Sequence, residues 1–368
     1  MVRDQPLCAT KGGRVNRPGG DVLMVRVDGG PEIGAGHAMR CMALAQAWQR
    51  TGGCVVFLMA PGGDALKDSI QSMNIRVYPM NERPGSLADA DAVAANAKRE
   101  HVSWLVLDGY HFGVAYQERL KGKTDIPLLY IDDYGHLAKY ITDLVLNQNI
   151  SAQIALYPNK GSCTELLLGT EFVLLRKEFL ALRDRERQLP ERARNILITL
   201  GGSDVDNCTQ NVIEALRLIQ DEPFAVKVIL GPLNQHAAQL HEACAAMPHT
   251  IELLHHVNNM AEVISWADLA ISGAGSTYWE MALLRLPALL IILDTNQEKI
   301  ALCLGEKGAA CNLGWWNVLD PQTLTSALRE TARDQELRKQ MSELGHSLVD
   351  GLGADRVIKR MGVELCNA

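Results

Sequence analysis

The chain has 368 residues, 47% of them hydrophobic and 21% charged, and carries a net charge of −7. That length exceeds one ordinary core and predicts two domains, while the acidic balance and the lack of any long basic run argue against nucleic acid as a partner. The nine cysteines form no C-x-x-C pair and are odd in number, so reduced thiols in a cytoplasmic protein are expected rather than a disulfide framework.

The first twenty residues, "MVRDQPLCATKGGRVNRPGG", are basic, rich in Gly and Pro, and lack an apolar centre. They predict a loose extension over 1–20 and no secretory signal. From residue 22 short apolar runs alternate with helical patterns. "VLMVRV" (22–27) precedes a helix over about 38–50, closed by "GG" at 52–53. "CVVFLM" (54–59) is followed by a helical stretch near 65–73, and "WLVLD" (104–108) and "LLYIDD" (128–133) are two further strands with acidic ends. Strand alternating with helix reads as a parallel sheet with crossover helices.

The rhythm breaks at "RKEFLALRDRERQLPERARN" (176–195), where charge density rises and a proline appears. This predicts a helix plus an interdomain linker. The alternation restarts with "ILITL" (196–200), a helix after Asn207, "VKVIL" (226–230), a helix near 236–246, "IELL" (251–254), "LAIS" (269–272), a helix near 277–284 and "ALLIIL" (288–293). The most apolar stretch, "LPALLIIL" (286–293), is one strand long, contains a proline and is too short to span a bilayer. Two such rhythms predict two Rossmann-like α/β domains facing across a cleft, over 21–185 and 190–352. Ligands in such sheets bind beyond the carboxyl ends of the strands.

Three strand-to-helix turns carry residues suited to that site. "EIGAGHAMR" (32–40) puts His37 between glycines and the start of a helix; "LGGSD" (200–204) and "SGAGSTYWE" (272–280) repeat the glycine turn in the second half. Glycine lets backbone approach a ligand, and a helix N-terminus presents free N–H groups with a partial positive charge, a cradle for a diphosphate. Neither turn is a P-loop or a nicotinamide fingerprint. Glu280, four residues beyond Ser276, is placed to accept two ribose hydroxyls, or to be a buried, paired helix acid. "DTNQEK" (294–299) offers side-chain amides to sugar or phosphate oxygens, or a polar helix cap. His37 reads either as a helix cap or as a general base held neutral by the helix end. The ten histidines show no His-x-x-x-His or Cys/His spacing, so no metal site is expected.

Taken together, "RVDGGPEIGAGHAMRCMALA", "DGY", "IDD", "LNQN", "LLRKEF", "LGGSD", "SGAGSTYWEMALL" and "TNQE", in this order, resemble the UDP-sugar hydrolases of pseudaminic acid biosynthesis, the PseG family. These are relatives of the MurG-like, GT-B glycosyltransferases. The resemblance spans roughly 22–320. It implies a GT-B-like fold whose last helix, within 353–368, packs back on the first domain. It implies release of UDP from a UDP-linked 2,4-diacetamido-2,4,6-trideoxy sugar, with water attacking the anomeric carbon with inversion, and no metal or cofactor. By position, His37 is implied as the catalytic residue, Tyr110 as a pocket residue, and Glu280 and Asn296 as neighbours of UDP. Asp28, Gly34, Gly36, Arg40, Gly201, Gly202, Ser203, Gly273, Gly275, Ser276 and Gln297 occupy motif positions of the substrate site. The expected partners are a UDP-sugar and water, without membrane insertion. Two competing readings remain: a GT-B transferase with the same donor site, and a non-catalytic nucleotide-sugar-binding module that has no need of His37.

Overall fold

A computed structural model describes residues 21–363 apart from 31–33, 63, 232–233, 246, 256 and 258, so the expected 1–20 extension and the last five residues of the 353–368 segment lie outside the described residues. In the first domain, strands β1 (Val22–Val27), β2 (Cys54–Met59), β3 (Arg76–Pro79), β4 (Trp104–Asp108), β5 (Leu128–Ile131), β6 (Leu144–Asn147) and β7 (Glu165–Leu168) form one sheet in the order β3-β2-β1-β4-β5-β6-β7. Every pairing in it is parallel. Helices α1 (Gly36–Arg50), α2 (Asp64–Gln71), α3 (Leu87–Arg99) and α4 (Val114–Lys123) cross over between its strands.

Both faces of this sheet are covered, which is why its strands read as nearly continuous apolar runs. Alternation along β1 sends Leu23, Val25 and Val27 toward Leu44 and Trp48 of α1, while Met24 packs with Val56 and Leu58 against Ala90 and Val93 of α3. Arg26 shares that second face and is fully buried; its guanidinium is held by Asp89 at 3.0 Å and Asp28 at 2.5 Å. Small residues along α1 (Ala38, Ala43, Ala45, Ala47) let its backbone approach the sheet.

The charged segment after β7 gives only one turn of helix, α5 (Lys177–Leu180), before the chain reaches the second sheet. Arg187 donates to the carbonyls of Leu284, Ala267 and Ile264, and burial pushes its pKa down to about 10.

The second sheet comprises β8 (Asn195–Thr199), β9 (Ala225–Ile229), β10 (Thr250–Leu254), β11 (Leu269–Gly273), β12 (Ala288–Ile292) and β13 (Cys311–Trp315), in the order β10-β9-β8-β11-β12-β13, again parallel throughout. Helices α6 (Cys208–Arg217), α7 (Ala237–Cys244), α8 (Met260–Trp266), α9 (Ser276–Leu283), α10 (Thr295–Glu306), α11 (Pro321–Arg333) and α12 (Gln335–Ser347) cover it. The final helix, α13 (Gly353–Arg360), packs on the first domain: Val357, Ile358 and Met361 join the core beneath α1, and the Trp104 indole donates to the Met361 carbonyl at 3.0 Å. The protein is thus two α/β domains with parallel sheets. Among the described residues no helix is long and apolar enough to cross a membrane.

Candidate active site

The carboxyl ends of β1, β4 and β5 face those of β8, β11 and β12, and the candidate residues project from these ends. On the first domain, Gly34 has a φ of +77°, a left-handed conformation that favours glycine, and it turns the chain into α1. His37 lies in the first turn of α1 and is 11% exposed. Its Nδ1 is 2.5 Å from Asp108 Oδ1, at the end of β4. Two lone pairs would repel at that distance, so Nδ1 carries the proton and donates it to the carboxylate, which leaves Nε2 as the basic atom. Among the described residues Nε2 has no hydrogen-bond partner.

One helical turn further, Arg40 organises the floor of the site. Nε and Nη2 form a fork on Asp108, each at 2.7 Å, and Nη1 and Nη2 reach Asp133 at 2.6 and 3.0 Å. Arg40 Nη2 also lies 3.1 Å from His37 Nδ1. Burial works against both carboxylates, but Arg40 and His37 together hold Asp108 and Asp133 below the usual carboxylate range. The same carboxylates hold the Arg40 guanidinium firmly charged despite full burial. Cys41 donates its thiol to Asp108 at 3.3 Å, and burial and that carboxylate push the thiol up and keep it protonated. The helix end is therefore one of three fields on the His37 ring, beside a carboxylate and a guanidinium.

Tyr110 joins the two domains. Its hydroxyl donates to Asp133 at 2.7 Å and accepts from Asn296 Nδ2, in the first turn of α10, at 2.8 Å. Asn149 donates to Asp133 at 3.0 Å from the loop after β6. The glycine loops approach as closely. A Cβ on Gly202 would meet the Ala35 side chain at 3.0 Å, one on Gly36 would lie 3.7 Å from Ser276 Oγ, and one on Gly34 would lie 3.9 Å from Ser203 Oγ. Gly201, at a φ of +93°, makes the corresponding turn after β8.

The residues around the second domain's turns divide by role. Helix α9 is preceded at its cap position by Gly275, which has no side chain to cap it, whereas α3 and α11 are capped by Ser86 and Asp320. The Gln297 side-chain Oε1 accepts from the backbone N–H groups of Ala274 and Leu293, at 3.1 and 3.2 Å, and so ties the Gly273–Ser276 turn to the end of β12. Asp204 accepts from Cys208 N and Thr209 N and starts α6. Glu280 is largely buried; burial raises its pKa against the pull of Arg176, whose Nη2 donates to Oε1 at 3.0 Å.

Of the residues singled out from the sequence, His37, Arg40, Tyr110 and Asn296 form one bonded cluster, with Gly34, Gly36, Gly202, Ser203 and Ser276 in the apposed loops. Asp28 stands apart. Its carboxylate is engaged by Arg26, by the Ala60 N–H at 2.7 Å and by His111 at 3.1 Å, inside the first domain. The sequence reading missed Asp108, Asp133, Asn149 and Arg176 as site residues. The first two had a signal, since both are acids ending adjacent parallel strands. Asn149 and Arg176 lie in the "LNQN" and "LLRKEF" stretches that carry the resemblance, but neither was assigned a place in the site. Among the described residues no group of three or more His, Cys, Asp and Glu side chains is arranged to hold a metal ion.

Residues 195–351 match the glycosyltransferase family 28 C-terminal domain. The chain is 23% identical to the spore coat polysaccharide biosynthesis protein SpsG of Bacillus subtilis, over 90% of this chain and 94% of that protein. It is 25% identical to the UDP-2,4-diacetamido-2,4,6-trideoxy-β-L-altropyranose hydrolase of Campylobacter jejuni, over 78% of this chain and 97% of that one. Among solved structures, MurG of Acinetobacter baumannii superposes with a TM-score of 0.65 at 20% identity, covering 93% of this chain and 99% of MurG. The fold is GT-B, and the family 28 match falls within its second domain.

Proposed function

We propose that this chain hydrolyses a UDP-linked, N-acylated deoxysugar, releasing UDP and the free sugar. The observation that carries this reading is the His37–Asp108 pair, a histidine whose Nδ1 is fixed on a buried carboxylate and whose Nε2 is unbonded, at the cleft. The likeness to the Campylobacter hydrolase over 97% of its length supports the substrate class.

In the proposed reaction the diphosphate rests at the uncapped start of α9, where first-turn N–H groups and the helix dipole favour anions. The ribose hydroxyls lie near Glu280, which Arg176 orients. A water on the opposite face of the anomeric carbon gives a proton to His37 Nε2 as its oxygen forms the new C–O bond. The bond from the anomeric carbon to the diphosphate oxygen breaks, and its electron pair leaves with UDP. Attack opposite the leaving group inverts the centre. Asp108 stabilises the imidazolium that forms, and general base catalysis of this kind contributes about 10²–10⁴-fold.

A second reading, transfer of the same sugar to an acceptor, is favoured by the family 28 match. Incubation with the UDP-linked diacetamido sugar, in EDTA and without acceptor, separates the two. Hydrolysis predicts stoichiometric UDP and a free sugar of inverted anomeric configuration by NMR. UDP release that depends on an added acceptor makes the protein a transferase, and binding without release makes it a non-catalytic module.

A further inference from the structure

Directly after the Asp132–Asp133 pair at the end of β5, the chain places Tyr134 and, two residues on, His136. Their rings and that of Tyr110 form a closed triangle: the centroids are 5.4 Å apart for Tyr110–Tyr134, 5.3 Å for Tyr110–His136 and 5.2 Å for Tyr134–His136. Tyr110 in turn meets the His37 ring edge-on at 5.1 Å. The triangle is therefore a wall beside the His37 ring.

The three rings differ in what holds them. Tyr110 is bonded to Asp133 and Asn296, as described. Both ring nitrogens of His136 are engaged, Nδ1 with Asp132 at 2.9 Å and Nε2 with the Tyr130 hydroxyl at 3.3 Å, so this ring is fixed and has no nitrogen left for a substrate. Tyr134 is 38% exposed, and its hydroxyl makes no hydrogen bond to any described residue. A large aromatic left open at the mouth of a site, with no partner for its hydroxyl, presents a ring face to whatever enters.

The charges around it narrow what that is. Burial and the carboxylates of Asp132, Asp133 and, from the start of α10 across the cleft, Asp294 raise the Tyr134 pKa and keep the phenol neutral. Asp132 and Asp133 are buried, but Asp294 is exposed, and a sugar bearing its own carboxylate would meet it. Aromatic faces pack on C–H faces and methyl groups, not on hydroxyl-rich or anionic edges.

Resting on the nucleotide-sugar reading above, we propose that Tyr134, braced by His136, is a specificity-determining residue that packs against the N-acyl methyl or C–H face of an uncharged sugar and disfavours acidic sugars. The ring, not the hydroxyl, makes this contact.

The test is ligand-observed NMR with UDP-N-acetylglucosamine, UDP-glucuronate and UDP as probes, in EDTA, on wild type, Tyr134→Ala and Tyr134→Phe. In wild type, the acetyl methyl protons should receive saturation comparable to the uridine protons. In Tyr134→Ala the sugar signals should fall at least twofold relative to uridine, and the Kd for UDP-N-acetylglucosamine should rise about tenfold, with the Kd for UDP unchanged. Tyr134→Phe should behave as wild type, and UDP-glucuronate should bind no better than UDP. Sugar protons that stay dark in wild type, or unchanged sugar contacts in Tyr134→Ala, overturn the assignment of the wall while UDP binding still stands. Absence of UDP binding by wild type overturns the nucleotide reading and this inference with it.

Discussion

Asn296 and Tyr110 stand 186 positions apart in the chain, yet the Asn296 amide donates to the Tyr110 hydroxyl at 2.8 Å, and that hydroxyl donates in turn to Asp133. The proposed nucleotide side of the cleft is thus bonded directly to the charged cluster that holds His37. Groups that share one hydrogen-bond network couple by about 0.5–3 kcal/mol. A double-mutant cycle of Tyr110→Phe and Asn296→Ala, read on UDP-sugar turnover, should show coupling in this range. Strictly additive effects would mean that the contact across the cleft has no energetic consequence.

His37→Asn should lower turnover about 10²–10⁴-fold, because it removes the proposed general base. The affinity for UDP should stay near wild type, since the proposed nucleotide contacts belong to the other domain. Steady-state kinetics with calorimetry on UDP checks both halves. Wild-type turnover in His37→Asn would reduce the histidine to a part of the helix start.

Asp108→Asn should harm both chemistry and folding. Turnover should drop at least about tenfold, because the amide no longer fixes the Nδ1–H tautomer. Stability should fall by about 3–5 kcal/mol, because the buried Arg40 loses one of its two carboxylates. Urea unfolding followed by circular dichroism measures the second effect independently of the first.

Glu280→Gln should weaken UDP binding about tenfold to a hundredfold, the range expected when a charge-assisted hydrogen bond of about 1.5–3 kcal/mol is lost. The amide still accepts from Arg176, which is partly exposed and keeps Glu178 at 2.8 Å, so the thermal midpoint should fall less than in Asp108→Asn. Unchanged UDP affinity would place the ribose elsewhere.

Asp28 makes the protein sensitive to acid. Burial alone would raise its pKa, but His111, Arg26 and the Ala60 N–H overcome that and hold it at about 2. A depressed folded-state value means that this stabilisation is complete above the unfolded-state pKa, near 4, and is lost as the pH falls from there through about 2. The shift corresponds to roughly 2 kcal/mol. Wild type should therefore lose stability steeply between about pH 4 and 2, and Asp28→Asn should show a shallower slope there in thermal melts.

The sequence by itself determined the layers. Apolar runs such as "VLMVRV" and "ALLIIL", buried on both faces, announce central parallel strands, and glycine turns after β8 and β11 announce backbone that must bend sharply at their carboxyl ends. The edge strands β3 and β13 went unread because they are only partly buried and mix polar residues into short runs, and β6 and β7 because no α-helix separates them from β5 to continue the strand–helix rhythm. The charged 176–195 segment looked more helical than α5 turned out to be; its Arg187 binds backbone carbonyls elsewhere in the chain. His37 was legible from its place between a glycine turn and a helix. What only the tertiary structure decided is its partner. Asp108 lies 71 positions away and reaches His37 because β4 pairs beside β1 and both strands end at the same edge. The same holds for the Arg40 fork on Asp133, the Arg176 contact with Glu280 and the bond between Asn296 and Tyr110. Local sequence fixes where a strand ends and a helix begins. Which ends face one another depends on strand order and on how two domains dock, and those are long-range properties of the chain.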